Sequence, residues 1–345
     1  MTVADRFPCL IVRKDADGSI SATVESIGRR ELFGGETLPT GEVVIQVAYS
    51  SLNYKDALAA RGHPGVVESF PHVPGIDCAG TVVESASSQY RTGDKVLVTG
   101  YEMGAGRWGG FATYVRVPAD WVVPLPADLS VREAMIYGTA GFTAAQCVTA
   151  IVEHGITPEA GEIVVTGATG GVGSIAAAIL AKLGYQVVAV TGKADRHDWL
   201  RELGAAKVLD REVVSDASDQ PLLKSRWAAA VDTVGGQTLT TLVRSLAHRG
   251  CVAACGLVGG TELPLSIYPF ILRGVTLAGI DSAKCPRPER LEIWQKLAGP
   301  WRVERLDQLA DEATFDELPQ RVEQILAGQI VGRTLVVPQT AQGSD

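Results

Sequence analysis

Positive charge is scarce in this chain of 345 residues: 31 Lys and Arg stand against 39 Asp and Glu, a formal net charge of −8. A nucleic-acid binder needs a cationic face to displace counterions, and no Lys/Arg cluster supplies one, so no nucleic-acid partner is expected. Aromatic residues make up only 6%, too few for a base-stacking surface. No apolar run approaches the ~20 residues that cross a bilayer, so no membrane partner is expected either. The N-terminus, Met1-Thr2-Val3-Ala4-Asp5-Arg6, meets acid at once and has no apolar stretch of signal-peptide length, and a cytoplasmic location is expected. The six cysteines, Cys9, Cys78, Cys147, Cys251, Cys255 and Cys285, include no C-x-x-C pair. In a chain this long they make no disulfide framework. Cys251 and Cys255 lie in the apolar run CVAACG, where i and i+4 share a strand face but stand far apart along it; both are expected to be plain buried thiols.

The hydrophobic fraction is 46% and the charged fraction 20%, which gives ample apolar surface to bury. The length predicts two domains. Residues 1–128 are rich in short strand-like runs such as Glu42–Val47, Gly80–Val83, Asp94–Val98 and Phe111–Val115, divided by Gly/Pro punctuation at His63-Pro64-Gly65, Val73-Pro74-Gly75 and Trp108-Gly109-Gly110. This predicts a compact, barrel-like β domain. From residue 129 the period changes. Ser130 with Glu133 predicts a capping box, and a second helix is expected from Thr143 to about Glu153. Strands are then expected at 162–166, 186–190, 207–209, 228–232, 250–255 and 275–280. Helices are expected at 174–183 and 195–203 between them, and at 287–298 after them. Alternating apolar strands and helices imply a parallel, doubly wound sheet over 129–282. The terminal run Gly332–Val337 reads as a strand that returns to the first domain, so 283–345 is assigned there.

The strongest local signal is Ile163-Val164-Val165-Thr166-Gly167-Ala168-Thr169-Gly170-Gly171-Val172-Gly173-Ser174. Its Ala168-x-Gly170-x-x-Gly173 spacing, between a strand and a helix, is a variant of the dinucleotide-binding turn. Small residues let the backbone approach a pyrophosphate, and a helix beginning near Ser174 would aim its unpaired N–H groups at it. Ala168, Thr169, Gly170, Gly171, Val172 and Gly173 are the expected cradle. A site for NAD usually carries an acid after the next strand; this chain has Thr191-Gly192-Lys193. With no acid to repel a 2′-phosphate, and with Lys193 and Arg211 available to bind it, NADPH is the expected cofactor.

A β domain preceding such a nucleotide domain resembles the medium-chain dehydrogenase/reductase superfamily over nearly the whole chain. The resemblance implies a GroES-like β domain followed by a Rossmann domain, with the active site in the cleft between them. Zinc enzymes of that superfamily carry G-H-E-x-x-G, where this chain reads Gly75-Ile76-Asp77-Cys78-Ala79-Gly80, and Asn53 stands at the expected zinc-ligand cysteine. No cysteine occurs between Cys78 and Cys147, so the structural zinc lobe is missing too, and no metal is expected. Within the zinc-free branch, the blocks Ser50–Leu58, Pro74–Asp77, Trp108–Gly110, Gly138–Ala144, Gly161–Ser174, Ala230–Gly235, Cys251–Leu257, Pro269–Arg273 and Gly332–Val336 are similar to the NADPH-dependent acrylyl-CoA reductase family. One departure is Thr191-Gly192-Lys193 for the family's usual Ser-Gly-Arg, which weakens the planar recognition of phosphate.

The resemblance implies reduction of acrylyl-CoA to propanoyl-CoA. Without an electrophilic metal the substrate must already be polarised, as an α,β-unsaturated thioester is. Hydride then adds to the β-carbon and charge collects on the thioester oxygen. Tyr54 is the first candidate to hydrogen-bond that enolate, or to pack on the cofactor ring. Asn53 can donate to the same oxygen or hold a turn, and Asp56 can pair with Lys55 or anchor the loop. Arg107 and Trp108, in a glycine-rich segment, are candidates to line a CoA channel, with a surface arginine as the alternative. Leu257, Ser282 and Arg333 join the expected cofactor contacts, Arg333 alternatively capping the last strand. The rival readings are a quinone or 2-alkenal reductase and, from another class, a non-catalytic NADPH-binding protein. A homodimer is expected, because the apolar strand 275–280 should lie at a sheet edge and pair across a two-fold axis.

Overall fold

The computed structural model describes residues 3–338 apart from residue 36. The chain divides into two compact units. Unit 1 comprises residues 1–139, 283–292 and 305–345; unit 2 comprises 140–282 and 293–304. The second stretch of unit 2 departs from the expectation that all of 283–345 returns to the first domain. The helix Arg287–Ala298 changes unit part-way, because Trp294 is fully buried and stacks on Phe142, with ring centroids 6.2 Å apart.

Unit 1 opens with a hairpin, β1 (Arg6–Lys14) and β2 (Ile20–Gly28), in antiparallel register from Arg6↔Gly28 to Lys14↔Ile20. Then come β3 (Glu42–Leu52), β4 (Asp77–Ser85), β5 (Lys95–Thr99), β6 (Tyr114–Pro118) and β7 (Val123–Pro124). After unit 2 the chain returns as β14 (Ala310–Thr314) and β15 (Arg333–Val337). The sheet order is β14-β15-β3-β4-β5-β7, with β6 also on β3. The expected return of the last strand is therefore present: β15 pairs antiparallel with β3, Leu335 opposite Ser51.

Strand alternation decides what β3 buries. Val43, Ile45 and Val47 pack with Val82, Val96, Val98 and Val115. Val44 faces a second cluster holding Phe7, Leu10, Phe111, Phe315 and Val336. The strand expected at 111–115 begins instead at Tyr114. The Phe111 and Thr113 amides are spent on Pro74 O (2.9 Å) and Pro8 O (3.1 Å), so this stretch ties β1 and the Pro74 turn together, and only the Thr113 carbonyl reaches β3, accepting the Val47 N–H at 2.9 Å.

Unit 2 holds β8 (Glu162–Val165), β9 (Gln186–Val190), β10 (Lys207–Leu209), β11 (Trp227–Asp232), β12 (Leu246–Ala254) and β13 (Thr276–Gly279). The order is β10-β9-β8-β11-β12-β13 with every pair parallel, the doubly wound sheet expected from the sequence. Its central strands β8, β9 and β11 are apolar and largely buried on both faces, as helices on either side require. The edge strand β13 pairs with β12 alone.

Ser130 and Glu133 form the expected capping box: the Ser130 N–H reaches Glu133 Oε2 at 2.9 Å and the Glu133 N–H reaches Ser130 Oγ at 3.1 Å. The helix that follows, Val131–Glu153, has the length and hydropathy of a membrane span, but 72% of its most apolar window is buried. It is also broken at Gly138, whose φ of 49° and ψ of −155° are not helical. The break lies one residue before the end of unit 1's first segment at Thr139.

Candidate functional site

In unit 2 the strand order reverses between β8 and β11, which opens the crevice where doubly wound sheets take ligands. Gly167 turns the chain out of β8 with φ of 56°, a conformation that favours glycine. The helix then begins at Gly171, three residues before the expected start, with Gly170 at its N-cap and no side-chain cap. The N–H groups of Gly171, Val172 and Gly173 thus have no acceptor within the helix, and with the helix dipole they form an anion site. Gly173 serves packing: a Cβ there would run into the backbone of Gly167 and Ala168. Beneath the crevice, Thr166 Oγ1 donates to Asp232 Oδ1 at 2.7 Å and the Gly235 N–H to Asp232 Oδ2 at 2.7 Å. Burial pushes the Asp232 carboxyl up, and those hydrogen bonds oppose it.

Beyond β9, Thr191 Oγ1 lies 3.2 Å from Thr169 Oγ1 and accepts the Lys193 N–H at 3.1 Å. Thr191 is buried, and its hydroxyl joins the two turns to each other. The Arg211 guanidinium lies against Gly192, where any side chain at 192 would collide with it. Partial burial lowers the Lys193 ammonium and Arg196 lowers it further, against Asp195. Unit 2 therefore gathers Ala168 to Gly173, Thr191 to Lys193 and Arg211 at one end of its sheet. Arg196 is an addition that the sequence reading did not single out. Leu257 is 60% exposed in the segment after β12, and Ser282 is half-buried where the first stretch of unit 2 ends. All six cysteines are free. Cys255 hydrogen-bonds Cys147, not Cys251, and that bond together with burial raises the Cys147 thiol.

Unit 1 holds a second constellation. Tyr54 opens the helix Tyr54–Ala60 and is 38% exposed. Directly before it, Asn53 is buried and its carboxamide is fully engaged. Nδ2 donates to Asp77 Oδ2 (2.7 Å), Asp56 Oδ2 (3.2 Å) and Ser51 O (3.2 Å), while Oδ1 accepts from Arg333 Nη1 (3.1 Å). Its protons are committed to the protein, which favours the second of its two expected uses, holding the turn.

Asp56 anchors the loop rather than pairing with Lys55. It accepts the N–H groups of Asn53 (2.8 Å), Gly75 (3.1 Å) and Ile76 (2.8 Å). Burial and the neighbouring Asp77 nevertheless push its carboxyl up to about 7. Asp77, buried completely, accepts Ser51 Oγ (2.6 Å), the Thr139 N–H (2.9 Å) and Thr139 Oγ1 (2.6 Å). Arg333 Nη2 stands 3.7 Å from Asp77 Oδ2 and donates to Ser51 Oγ at 2.8 Å. Its Nε reaches Ile136 O at 3.0 Å. The Arg333 guanidinium is thus enclosed in unit 1, held by protein acceptors. Ser51, Asp77 and Thr139 were missed as site residues. A buried acid and a buried arginine far apart in sequence give no local signal.

Arg107 is taken up by Glu42 Oε1 at 2.6 Å and lies 5.6 Å from the centroid of Trp121. Trp108 Nε1 donates to Pro71 O at 3.0 Å. Both side chains are used within unit 1, so a role for Arg107 on a CoA phosphate requires the Glu42 pair to open.

Two family models match: the alcohol dehydrogenase GroES-like domain over residues 39–127 and the zinc-binding dehydrogenase over 171–298. A protein of Escherichia coli named as a probable acrylyl-CoA reductase, AcuI, is 46% identical over 94% of this chain and 98% of its own. The chain belongs to the medium-chain dehydrogenase/reductase superfamily. Among solved structures, this medium-chain reductase is similar to the yhdH oxidoreductase of Salmonella enterica in complex with NADP. The TM-score is 0.91 and the identity 45%, over 96% of this chain and 100% of that one. It is equally similar to Bacillus subtilis yhfP with NAD bound, with TM-score 0.92 and 44% identity over 97% and 100%. Although the second family model is described by zinc, Ile76 cannot ligate a metal. Among the described residues no group of three or more His, Cys, Asp or Glu is placed to hold one.

Proposed function

We propose that the protein reduces the carbon–carbon double bond of a short enoyl-CoA, acrylyl-CoA first, with NADPH, giving propanoyl-CoA. The observation that carries this is the near full-length likeness to a probable acrylyl-CoA reductase, on a fold whose cradle suits a 2′-phosphorylated dinucleotide. The fit rests on donors. The amides of Gly171, Val172 and Gly173 suit a pyrophosphate, Lys193 and Arg211 suit a 2′-phosphate, and none of the three residues directly after β9, Thr191-Gly192-Lys193, is an acid to bond a ribose hydroxyl. When bound, the nicotinamide supplies a hydride to the β-carbon.

Every other part of the reaction falls to side chains. The Tyr54 phenol donates a hydrogen bond to the thioester oxygen as charge collects there, and the α-carbon takes its proton from water. Asn53, Asp56 and Asp77 hold the turn that presents Tyr54. The chemistry is metal-free, because the zinc-ligand positions carry Asn53 and Ile76. The enzyme is read as a cytoplasmic homodimer. Six free thiols support a reducing compartment, and the edge position of β13 supports the dimer.

The test is NADPH oxidation with acrylyl-CoA, crotonyl-CoA, acrolein and a quinone side by side. Acrylyl-CoA should be turned over best, and acrolein or quinone poorly. Preferred turnover of the quinone or of free acrolein would replace the CoA reading. Tyr54→Phe then tests the donor, with an expected loss of ~10²–10³ in kcat, since the hydroxyl acts as charge develops. An unchanged kcat would remove the hydroxyl from the mechanism.

A further inference from the structure

Tyr54 is more than a third exposed, and an exposed ring has few contacts to fix its direction. Its orientation is inherited from the backbone of the residue before it. That residue, Asn53, is gripped at both ends by unlike charges: its amide nitrogen sits 2.7 Å from Asp77 Oδ2 and its carbonyl oxygen 3.1 Å from Arg333 Nη1. The opposite charges define which way the carboxamide faces, since a flip would set NH₂ against guanidinium and oxygen against carboxylate. Asp77 also collects Ser51 from the end of β3 and both the N–H and the hydroxyl of Thr139 just after the Gly138 break. A Cβ at Gly138 would land among Asp77, Ser51 and Arg333, so the break itself is built around this carboxylate.

We propose that Asp77 is the positioning residue for Tyr54, its buried carboxylate gathering Ser51, Asn53 and Thr139 beside Arg333 into a cage that fixes where Tyr54 enters its helix. This rests on the reading of Tyr54 as the enolate donor. The cage occupies the segments in which zinc relatives place ligands, and does with hydrogen bonds the anchoring of this turn. Asp77→Asn would put an NH₂ group among donors and leave Arg333 without its nearest charge, so the Asn53–Tyr54 turn would lose its defined orientation. A small displacement of a reacting group is enough to cost ~10²-fold in rate.

The test is a double-mutant cycle in kcat with acrylyl-CoA, read beside the ¹⁹F resonance of 3-fluorotyrosine at position 54, assigned by its loss in Tyr54→Phe. Asp77→Asn should lower kcat by about 10- to 100-fold and leave the KM for NADPH within about 2-fold. In the Tyr54→Phe background the same substitution should cost less than about 3-fold, because its effect passes through the missing hydroxyl. The resonance at 54 should shift. Equal losses in both backgrounds would overturn the proposal and leave the function reading intact. If Asp77→Asn does not fold, Ser51→Ala and Thr139→Val each remove one hydroxyl from the carboxylate and are measured in the same way. If the wild type does not reduce acrylyl-CoA, the function reading falls, and the resonance decides alone: a shift supports the positioning role and an unmoved line overturns it.

Discussion

At the scale of single residues, cofactor choice turns on three cations around Gly192. Lys193 is a point charge, lowered by burial and by Arg196, whereas Arg211 offers a planar fork against the Gly192 backbone. Arg211→Ala should therefore weaken NADPH more than Lys193→Ala does, and neither should affect NADH. Charge-assisted contacts of ~1.5–3 kcal/mol correspond to roughly 10- to 150-fold in Kd. Fluorescence titration with the two cofactors checks this, and equal losses for NADPH and NADH would refute it. Asp56 makes a second prediction. Its folded pKa of about 7 lies above its unfolded value of ~3.9, so the folded state holds this proton more tightly than the unfolded chain does. That contribution is fully present below pH ~4 and is lost as pH rises through about 7, by up to ~4 kcal/mol. Urea midpoints between pH 4 and 8 should fall more steeply in the wild type than in Asp56→Asn; parallel profiles would show that Asp56 does not titrate there. The glycine string and the missing acid after β9 were legible in the sequence, because both depend on neighbours along the chain. The inward turn of Thr191 and the enclosure of Arg333 were not, because each depends on partners dozens to hundreds of residues away.

Among elements, the parallel sheet was the most readable part. Its central strands are continuous apolar runs, and 186–190, 207–209 and the helix 287–298 have the bounds their periodicity predicts. Non-local competition explains the misses. Phe111–Thr113 has strand composition but gives its amides to Pro74 and Pro8. The Asn53–Asp56 turn reads as a loop yet starts a helix, because Asp56 caps the Asn53 N–H. The Val131–Glu153 helix is interrupted where the Asp77 cage needs backbone, at Gly138. Gly138→Ala should therefore be costly twice over: its positive φ strains any L residue, and the new methyl meets Asp77, Ser51 and Arg333. Backbone strain alone amounts to ~1–3 kcal/mol. A urea midpoint lowered by at least that much is expected, and a Gly138→Ala protein as stable as wild type would mean that the break serves nothing.

For the whole molecule, assembly turns on the edge of the unit 2 sheet. β13 is only four residues long and pairs on one side alone. The helix Tyr268–Arg273 runs into it through Gly274 and leaves Ile271 65% and Leu272 57% exposed, with Ile267 and Tyr268 also outward. Unpaired strand groups beside exposed large apolar side chains invite a partner, and a second copy can satisfy both through a two-fold axis that joins β13 to itself. A particle of twice the chain mass is therefore expected by light scattering at micromolar concentration. Ile271→Glu with Leu272→Glu should convert it to the single-chain mass, because two carboxylates per copy would face each other across the axis. NADPH titration should be unaffected, since neither residue belongs to the cradle at the opposite turn of the sheet order. A wild type of single-chain mass would refute the assembly. A dimer that survives both glutamates would place the contact on some other surface and leave the β13 edge to be explained by its shortness alone.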